Sequence, residues 1–402
     1  MMLLRINVYI LCVVGLLVLF GNTAPVFENS NTALSFENCG PLVLDLISIR
    51  GAKDSSHGKR ADPPVIILEQ LQQQQQRFAI NVVLGGNSYA LHLDTGNSAS
   101  WIAQSNFQCY DLKNKLQGQR GCGLGPNLGP SLGPNRQPGL DEDGYRPIAD
   151  FKESYAGGES AAGKLIKETV EIAGFKVTDV RIGLADKLVW RGDGLTVGSF
   201  GISGNDSLWQ DICKQYRLPL QFTLAVNRED EGKKNGGFLA IGGTPPDGEP
   251  LTHKSWETVN LADNAGHPGW FIEGFELQKS KISQKTLIDS GSVFIHLPPQ
   301  PFEEFLALWD LAPKLHKKHQ LWMVDCEVEG PDILDFKIGQ AYFKIPVNDY
   351  IIQDWQEFCY LTVRPLLQPN DPPVLGLPFM RHVVINHDWA KRKMSFKQRV
   401  YT

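Results

Sequence analysis

From Arg77 onward the chain alternates apolar and polar positions, with Phe78, Ile80, Val82 and Leu84 before a Gly85-Gly86-Asn87 break and Tyr89, Leu91 and Leu93 after it. A period of two interrupted by a glycine-asparagine turn predicts a β-hairpin. Comparable strand signals recur at 165–175, 221–226, 237–241, 269–277, 336–345 and 383–385, whereas helical patterns are few and short, at 208–216 and 301–310. The expected class is mainly β. Two low-complexity stretches interrupt this: a glutamine run at 72–76, and a Leu-Gly-Pro unit repeated three times within 124–135. Neither carries enough apolar surface to order itself, so both are expected on the surface, with substrate contact by the repeat the lesser expectation.

The 402 residues allow two domains, or one two-lobed domain with a continuous cleft. A net charge of -5 and the lack of any lysine-arginine block argue against a nucleic-acid partner. Residues 1–24 have Arg5 as their only charge, an apolar run from Val8 to Phe20 and a small-residue end, which fits a secretory signal peptide. The rival, a membrane anchor, falls short of the roughly 20 apolar residues that span a bilayer. No later segment is apolar enough to span, so a secreted product without a stable membrane anchor is expected, with a vacuole or another acidic secretory compartment as the alternative. Residues 25–60 end in Lys59-Arg60 and are taken as a propeptide cut at that dibasic pair; the plainer alternative is a solvated pair in a loop.

Of seven cysteines, Cys12 falls in the signal and Cys39 in the propeptide. Cys109 and Cys122 bracket a short loop, and Cys326 and Cys359 bracket a strand-like segment; these are the two expected disulfides. Cys213 is then free, or pairs with Cys39. Asn205-Asp206-Ser207 is a glycosylation acceptor, expected on a surface loop.

The candidate chemistry lies in two short signatures, Asp94-Thr95-Gly96 and Asp289-Ser290-Gly291, each entered from apolar residues (Leu91 and Leu93; Leu287 and Ile288). Aspartate beside a hydroxyl residue and glycine is also a common turn sequence. One such turn in each half, however, can bring two acids together, and two carboxyls sharing a site do not both ionise easily. The ionised one activates water while the protonated one donates a hydrogen bond to a carbonyl. His-Glu-x-x-His, Gly-x-Ser-x-Gly, phosphate-loop and paired Cys-x-x-Cys patterns are absent. His387-Asp388 is read as a turn feature and His296 as a packed strand histidine.

With Trp101 after the first signature, Ser292 after the second, the stretch 154–163 between them, 236–243, and the segments 374–380 and 383–388 near the end, the chain from 78 to 397 resembles the pepsin-like aspartic proteases, most of all their secreted fungal members. The resemblance implies two β-barrel-like lobes with the active-site cleft between them, an N-terminal lobe at 61–245 and a C-terminal lobe at 246–402. It implies a monomeric zymogen whose Asp94 and Asp289 hold a catalytic water, with polypeptide substrates, no cofactor and no metal. By the same resemblance Gly96 and Gly291 bring backbone amides to the carboxylates or substrate, and Tyr155, in a flap hairpin, bonds the Trp101 indole. Ala156, Gly157 and Ser292 then contact substrate, and Phe200-Gly201 and Leu375-Gly376 pack beside the active loops. Three departures stand out: Asn97 where serine is usual, Ala156-Gly157 at the flap tip, and the altered motif at 197–202. The rival function is a pepsin-like binding or inhibitor protein; a wall or surface protein lacks the necessary anchor.

Overall fold

The structure, a computed structural model, describes the backbone of residues 42–49, and residues 77–130, 145, 147–204, 207–228, 235–244, 255–264, 269–317, 320–327, 330–353 and 358–399. Residues 1–24, Cys39, Lys59-Arg60, the glutamine run and Asn205 lie outside the described residues.

The expected alternation at 78–93 becomes a hairpin of strands Arg77–Leu84 and Asn87–Asp94, paired antiparallel from Ala79 opposite His92 to Leu84 opposite Asn87. Its apolar positions Phe78, Ile80, Val82, Leu84, Leu91 and Leu93 are buried in a common core. Two expected single strands are each a hairpin. The 165–175 signal spans the end of Ser160–Ile172, a turn at Ala173-Gly174 with φ of 50° and 84°, and the start of Phe175–Val189. Likewise 336–345 folds back at Gly339 (φ 60°) between Ile333–Ile338 and Ala341–Pro346. An apolar period of two runs unbroken through a tight reversal, so periodicity alone merges the partners. The helices fall at Leu208–Gln215 and Pro299–Leu306, the second beginning earlier than its pattern suggests because a proline fits the first helical turn.

One 14-stranded sheet runs under both halves of the chain. At one end the flap hairpin pairs Pro147–Ser154 with Ser160–Ile172, and at the other Glu257–Asn260 pairs with Lys393–Gln398. The halves meet where Gln221–Val226 pairs antiparallel with Val383–Asp388. The strand Leu42–Ile49, within the stretch taken as a propeptide, sits between Asn235–Ile241 and Arg77–Leu84 and is antiparallel to both. Smaller sheets complete the second half. Across the junction Phe222 packs edge-on against Trp209 and Trp270, and the Trp270 indole donates to the Ile202 carbonyl at 3.0 Å.

Cys109–Cys122 and Cys326–Cys359 are both disulfide-bonded. Cys213 is free and buried, its thiol directed at the Pro219 carbonyl and pushed up to about 12 by burial. The first part of the Leu-Gly-Pro repeat departs from the surface expectation. Leu128 packs on the core, and Gly129 is buried and hydrogen-bonded through both backbone groups to Ala103 and Ser105. Backbone pairing orders this segment without a large apolar face. His387 is not merely a turn residue: it is fully buried, stacked on Phe222, and desolvation lowers its pKa to about 3. His296 is packed in its strand as expected, near Pro365, with its pKa lowered to about 4 by burial.

Candidate active site

Each signature emerges from the end of a strand and is braced by a parallel neighbour. In the first half, Leu93 and Asp94 of Asn87–Asp94 lie opposite Phe200 and Gly201 of Gly198–Gly201. In the second, Leu287 and Ile288 of Thr286–Ile288 lie opposite Val374 and Leu375. The brace continues into the turns, where the Ile202 amide donates to the Asp94 carbonyl at 2.9 Å and the Asp289 amide to the Leu375 carbonyl at 3.1 Å. Thus Phe200-Gly201 and Leu375-Gly376 flank the two turns symmetrically.

The turns also bind each other. The Thr95 hydroxyl donates to the Ile288 carbonyl (3.0 Å) and accepts from the Ser290 amide (2.8 Å). Reciprocally, the Ser290 hydroxyl donates to the Leu93 carbonyl (2.9 Å) and accepts from the Thr95 amide (3.0 Å). Both side chains are fully buried. This exchange needs a hydroxyl at the middle position of each signature, a role the sequence analysis did not assign; the recurrence of a hydroxyl residue there was the available signal.

The crossed bonds bring the acids together. A methyl group added at Gly96 would lie 2.7 Å from Asp289 Oδ1, and one added at Gly291 the same distance from Asp94 Oδ1. Glycine is required at both positions by the opposing carboxylate. The Gly96 amide donates to Asp94 Oδ1 at 2.9 Å and the Gly291 amide to Asp289 Oδ1 at 2.8 Å, while the Ser292 amide donates to the Asp289 backbone carbonyl at 3.3 Å. The carboxyls are within hydrogen-bond reach of each other. Burial raises the pKa of both, most strongly for Asp94, which the charge of Asp289 raises further; the glycine amides oppose the rise. The pair therefore retains a shared proton above the ordinary carboxylate range.

The strands Pro147–Ser154 and Ser160–Ile172 form a hairpin closed at Tyr155–Glu159. The Trp101 indole donates to the Tyr155 hydroxyl at 2.8 Å, and the Tyr155 ring packs edge-on against Trp190, which also meets Trp101. Trp190 was not anticipated, since nothing in its neighbourhood forms a motif. Ala156 and Gly157 are exposed at the tip. Asn97 does not hydrogen-bond Asp94. Its side-chain carbonyl accepts from the Ala99 amide at 3.0 Å, and its side chain lies near enough to Glu153 on the neighbouring strand to favour that carboxyl's charged form. Among the described residues no cluster of three or more His, Cys, Asp or Glu is arranged to hold a metal ion. No described helix is long and apolar enough to cross a membrane.

The sequence profile of the eukaryotic aspartyl protease family matches residues 139–399, well over half of the chain. The chain belongs to this family. The protease is 24% identical over 362 residues to a protein of Aspergillus fumigatus named as a probable aspartic-type endopeptidase, covering 79% of this chain and 78% of that one. It is also 24% identical over 384 residues to secreted aspartic protease 4 of Candida albicans, covering 90% and 86%. The crystal structure of an aspartic proteinase from Irpex lacteus superposes with a TM-score of 0.62 at 16% identity, over 83% of this chain and 96% of that one. The fold is thus the bilobal one of pepsin-like aspartic proteases, and the class of activity is aspartic-type endopeptidase, a hydrolase of peptide bonds. The family match begins downstream of Asp94, so within the protease the first signature is tied to the second by the crossed hydrogen bonds described above.

Proposed function

We propose that the protease is a secreted, monomeric endopeptidase, made as a zymogen and active at acid pH, in which Asp94 and Asp289 hydrolyse peptide bonds through a water held between them. The observation carrying this is the mutual approach of the two carboxyls, each 2.7 Å from where a side chain would begin at the glycine of the opposite signature. The ionised member takes a proton from water as its oxygen attacks the scissile carbonyl, and the protonated member donates to the carbonyl oxygen. The pair then passes the proton it has gained to the leaving nitrogen. Each step needs one proton shared between the two groups, so the raised pKa values favour activity at acid pH and loss of activity as pH rises and the shared proton leaves.

In this reading residues 61–245 and 246–402 are the N-terminal and C-terminal lobes, and the cleft takes an extended polypeptide beneath the flap. Tyr155, held by Trp101, covers the scissile bond, while Gly96, Ala156, Gly157, Gly291 and Ser292 line the substrate path. The signal-like residues 1–24, the segment 25–60 ending in Lys59-Arg60, and kinship with a protein named as secreted support passage through the secretory route. The test compares processed wild-type protein with Asp94→Asn on a denatured protein substrate between about pH 3 and 6. Cleavage by wild type alone is expected; equal cleavage by both removes Asp94 from the mechanism, and cleavage by neither favours the binding-protein alternative.

A further inference from the structure

The flap strand Pro147–Ser154 carries a carboxylate that the proposed hydrolysis does not use. Alternation along the strand puts Phe151, Glu153 and Tyr155 on one face. Phe151 is buried, and a methyl group at Gly183 would touch both its ring (3.1 Å) and Trp101 Cβ (3.0 Å), so this face is turned toward the body of the lobe. Tyr155 reaches the Trp101 indole from the same face. Glu153 therefore lies between two anchors, above Asn97, three positions beyond Asp94. It is half-buried beside the Asn97 side chain, and its charge is felt, with that of Asp94, at the Tyr155 hydroxyl.

Among the described residues no lysine, arginine or histidine comes within ion-pair distance of Glu153; neighbouring Asp150 is paired with Lys164 at 2.6 Å. Burial pushes the Glu153 carboxyl above its usual range, and the nearby Asn97 side chain only partly offsets this. A recess of about 290 Å³ opens beside it, walled by Ser98, Ala99, Ser100 and Phe151 and bordered by the exposed Lys152 and Arg181. A half-buried carboxylate with an open recess beside it is stabilised most by a cation delivered from outside.

We propose that Glu153 is a specificity-determining residue that selects a lysine or arginine side chain in the polypeptide substrate, a reading that rests on the protease function above. The extended peptide beneath the flap passes this face of the strand, and a long cationic side chain lays its methylenes along Ala99 and Phe151 while its head meets the carboxylate. Selection requires the ionised form of Glu153. The charged or titratable groups that bear on it are Asp150 and Lys152 of its own strand, Tyr155 at the hairpin turn, Arg181 across the recess, and Asp94.

The experiment uses matched peptides in which lysine replaces norleucine at each position flanking the scissile bond, with kcat/KM measured for wild type, Glu153→Gln and Glu153→Ala. The lysine-to-norleucine ratio within each enzyme cancels any common loss of turnover. Glutamine keeps the size and polarity of the side chain but carries no charge, so at one position the ratio is expected to fall about tenfold in Glu153→Gln. In wild type that ratio rises with pH through the Glu153 titration, and in the glutamine variant it stays flat. A merely structural role predicts the opposite, with an unmoved ratio in Glu153→Gln and slower cleavage of every peptide in Glu153→Ala, and would overturn the proposal. Absence of any cleavage by wild type removes the protease reading and this proposal together, whereas cleavage with equal ratios at every position removes this proposal alone.

Discussion

Replacing Thr95 by valine keeps the volume and branching of the side chain but deletes the hydroxyl that joins the two signatures. In the wild type that oxygen donates to the Ile288 carbonyl at 3.0 Å and accepts from the Ser290 amide at 2.8 Å, and Thr95 is fully buried. Valine leaves both partners without that bond, in a place water does not reach. A buried polar group left unpaired costs about 1–3 kcal/mol, so the pair costs about 2–6 kcal/mol, a large share of the roughly 5–15 kcal/mol by which folded proteins are stable. At about 2 °C per kcal/mol for a chain of this length, the Tm falls by about 4–12 °C. Differential scanning calorimetry at acid pH on wild type, Thr95→Val and Thr95→Ser measures this directly. Serine retains the hydroxyl, so it is expected to recover most of the loss. A Tm for Thr95→Val within about 1 °C of wild type, or equal losses for valine and serine, would refute the claim that the crossed hydroxyls hold the turns together.

Gly291→Ala places a methyl group 2.7 Å from Asp94 Oδ1, so peptidase activity should fall by at least about a hundredfold with the fold retained by circular dichroism; wild-type kinetics in this variant would contradict the close approach. Tyr155→Phe leaves the Trp101 indole N–H without the acceptor it has at 2.8 Å, and should lower kcat/KM by about tenfold or more while shifting Trp fluorescence; an unchanged kcat/KM would count against the flap role. Asp94 and Asp289 have folded-state pKa values raised from 3.8, so their protonation stabilises the fold fully below pH 3.8 and this contribution fades as pH rises through the raised values. Asp94→Asn should therefore lose less Tm than wild type between about pH 4 and 7, and parallel Tm profiles would contradict the shared burial of the pair. Removing the Cys326–Cys359 bond, which closes 33 residues, by Cys326→Ala with Cys359→Ala should cost about 3–4 kcal/mol in urea unfolding; a midpoint equal to wild type would deny it a stabilising role.

The hairpin at 77–94 was legible because alternation and a Gly85-Gly86-Asn87 turn coincide, and its alternating apolar positions Phe78, Ile80, Val82, Leu84, Tyr89, Leu91 and Leu93 are in the core. Hairpins at 160–189 and 333–346 were harder to separate, since their turns, Ala173-Gly174 and Gly339-Gln340, fall between apolar runs whose phase carries on across them. Among site residues, Asp94, Asp289 and the two glycines announce themselves through duplicated short motifs. Their hydroxyl neighbours carry an equal share of the geometry, but a hydroxyl's partners lie 193 to 197 residues away, a distance over which local sequence says nothing. Asn97 was recognised as unusual, yet its neighbour Glu153 was not, because a lone glutamate on a strand looks solvated until the strand is folded over a turn. The strand at Leu42–Ile49 was hidden by its position upstream of a dibasic pair, where processing signals draw attention away from its alternating pattern.

The sheet that runs from Glu257–Asn260 to the flap gives the lobes a different kind of connection from a hinge. Gln221–Val226 and Val383–Asp388 join the halves by a ladder of backbone hydrogen bonds in register from Gln221 opposite Asp388 to Leu224 opposite Ile385. A sheet resists separation along its ladder far more than it resists twisting. Opening the cleft by drawing the halves apart would break those rungs, whereas a change in twist spreads over many strands at low cost. A relative movement of the halves would therefore be torsional. Under the proposed function, the width available to a bulky peptide then depends on sheet stiffness, to which residues far from either aspartate contribute.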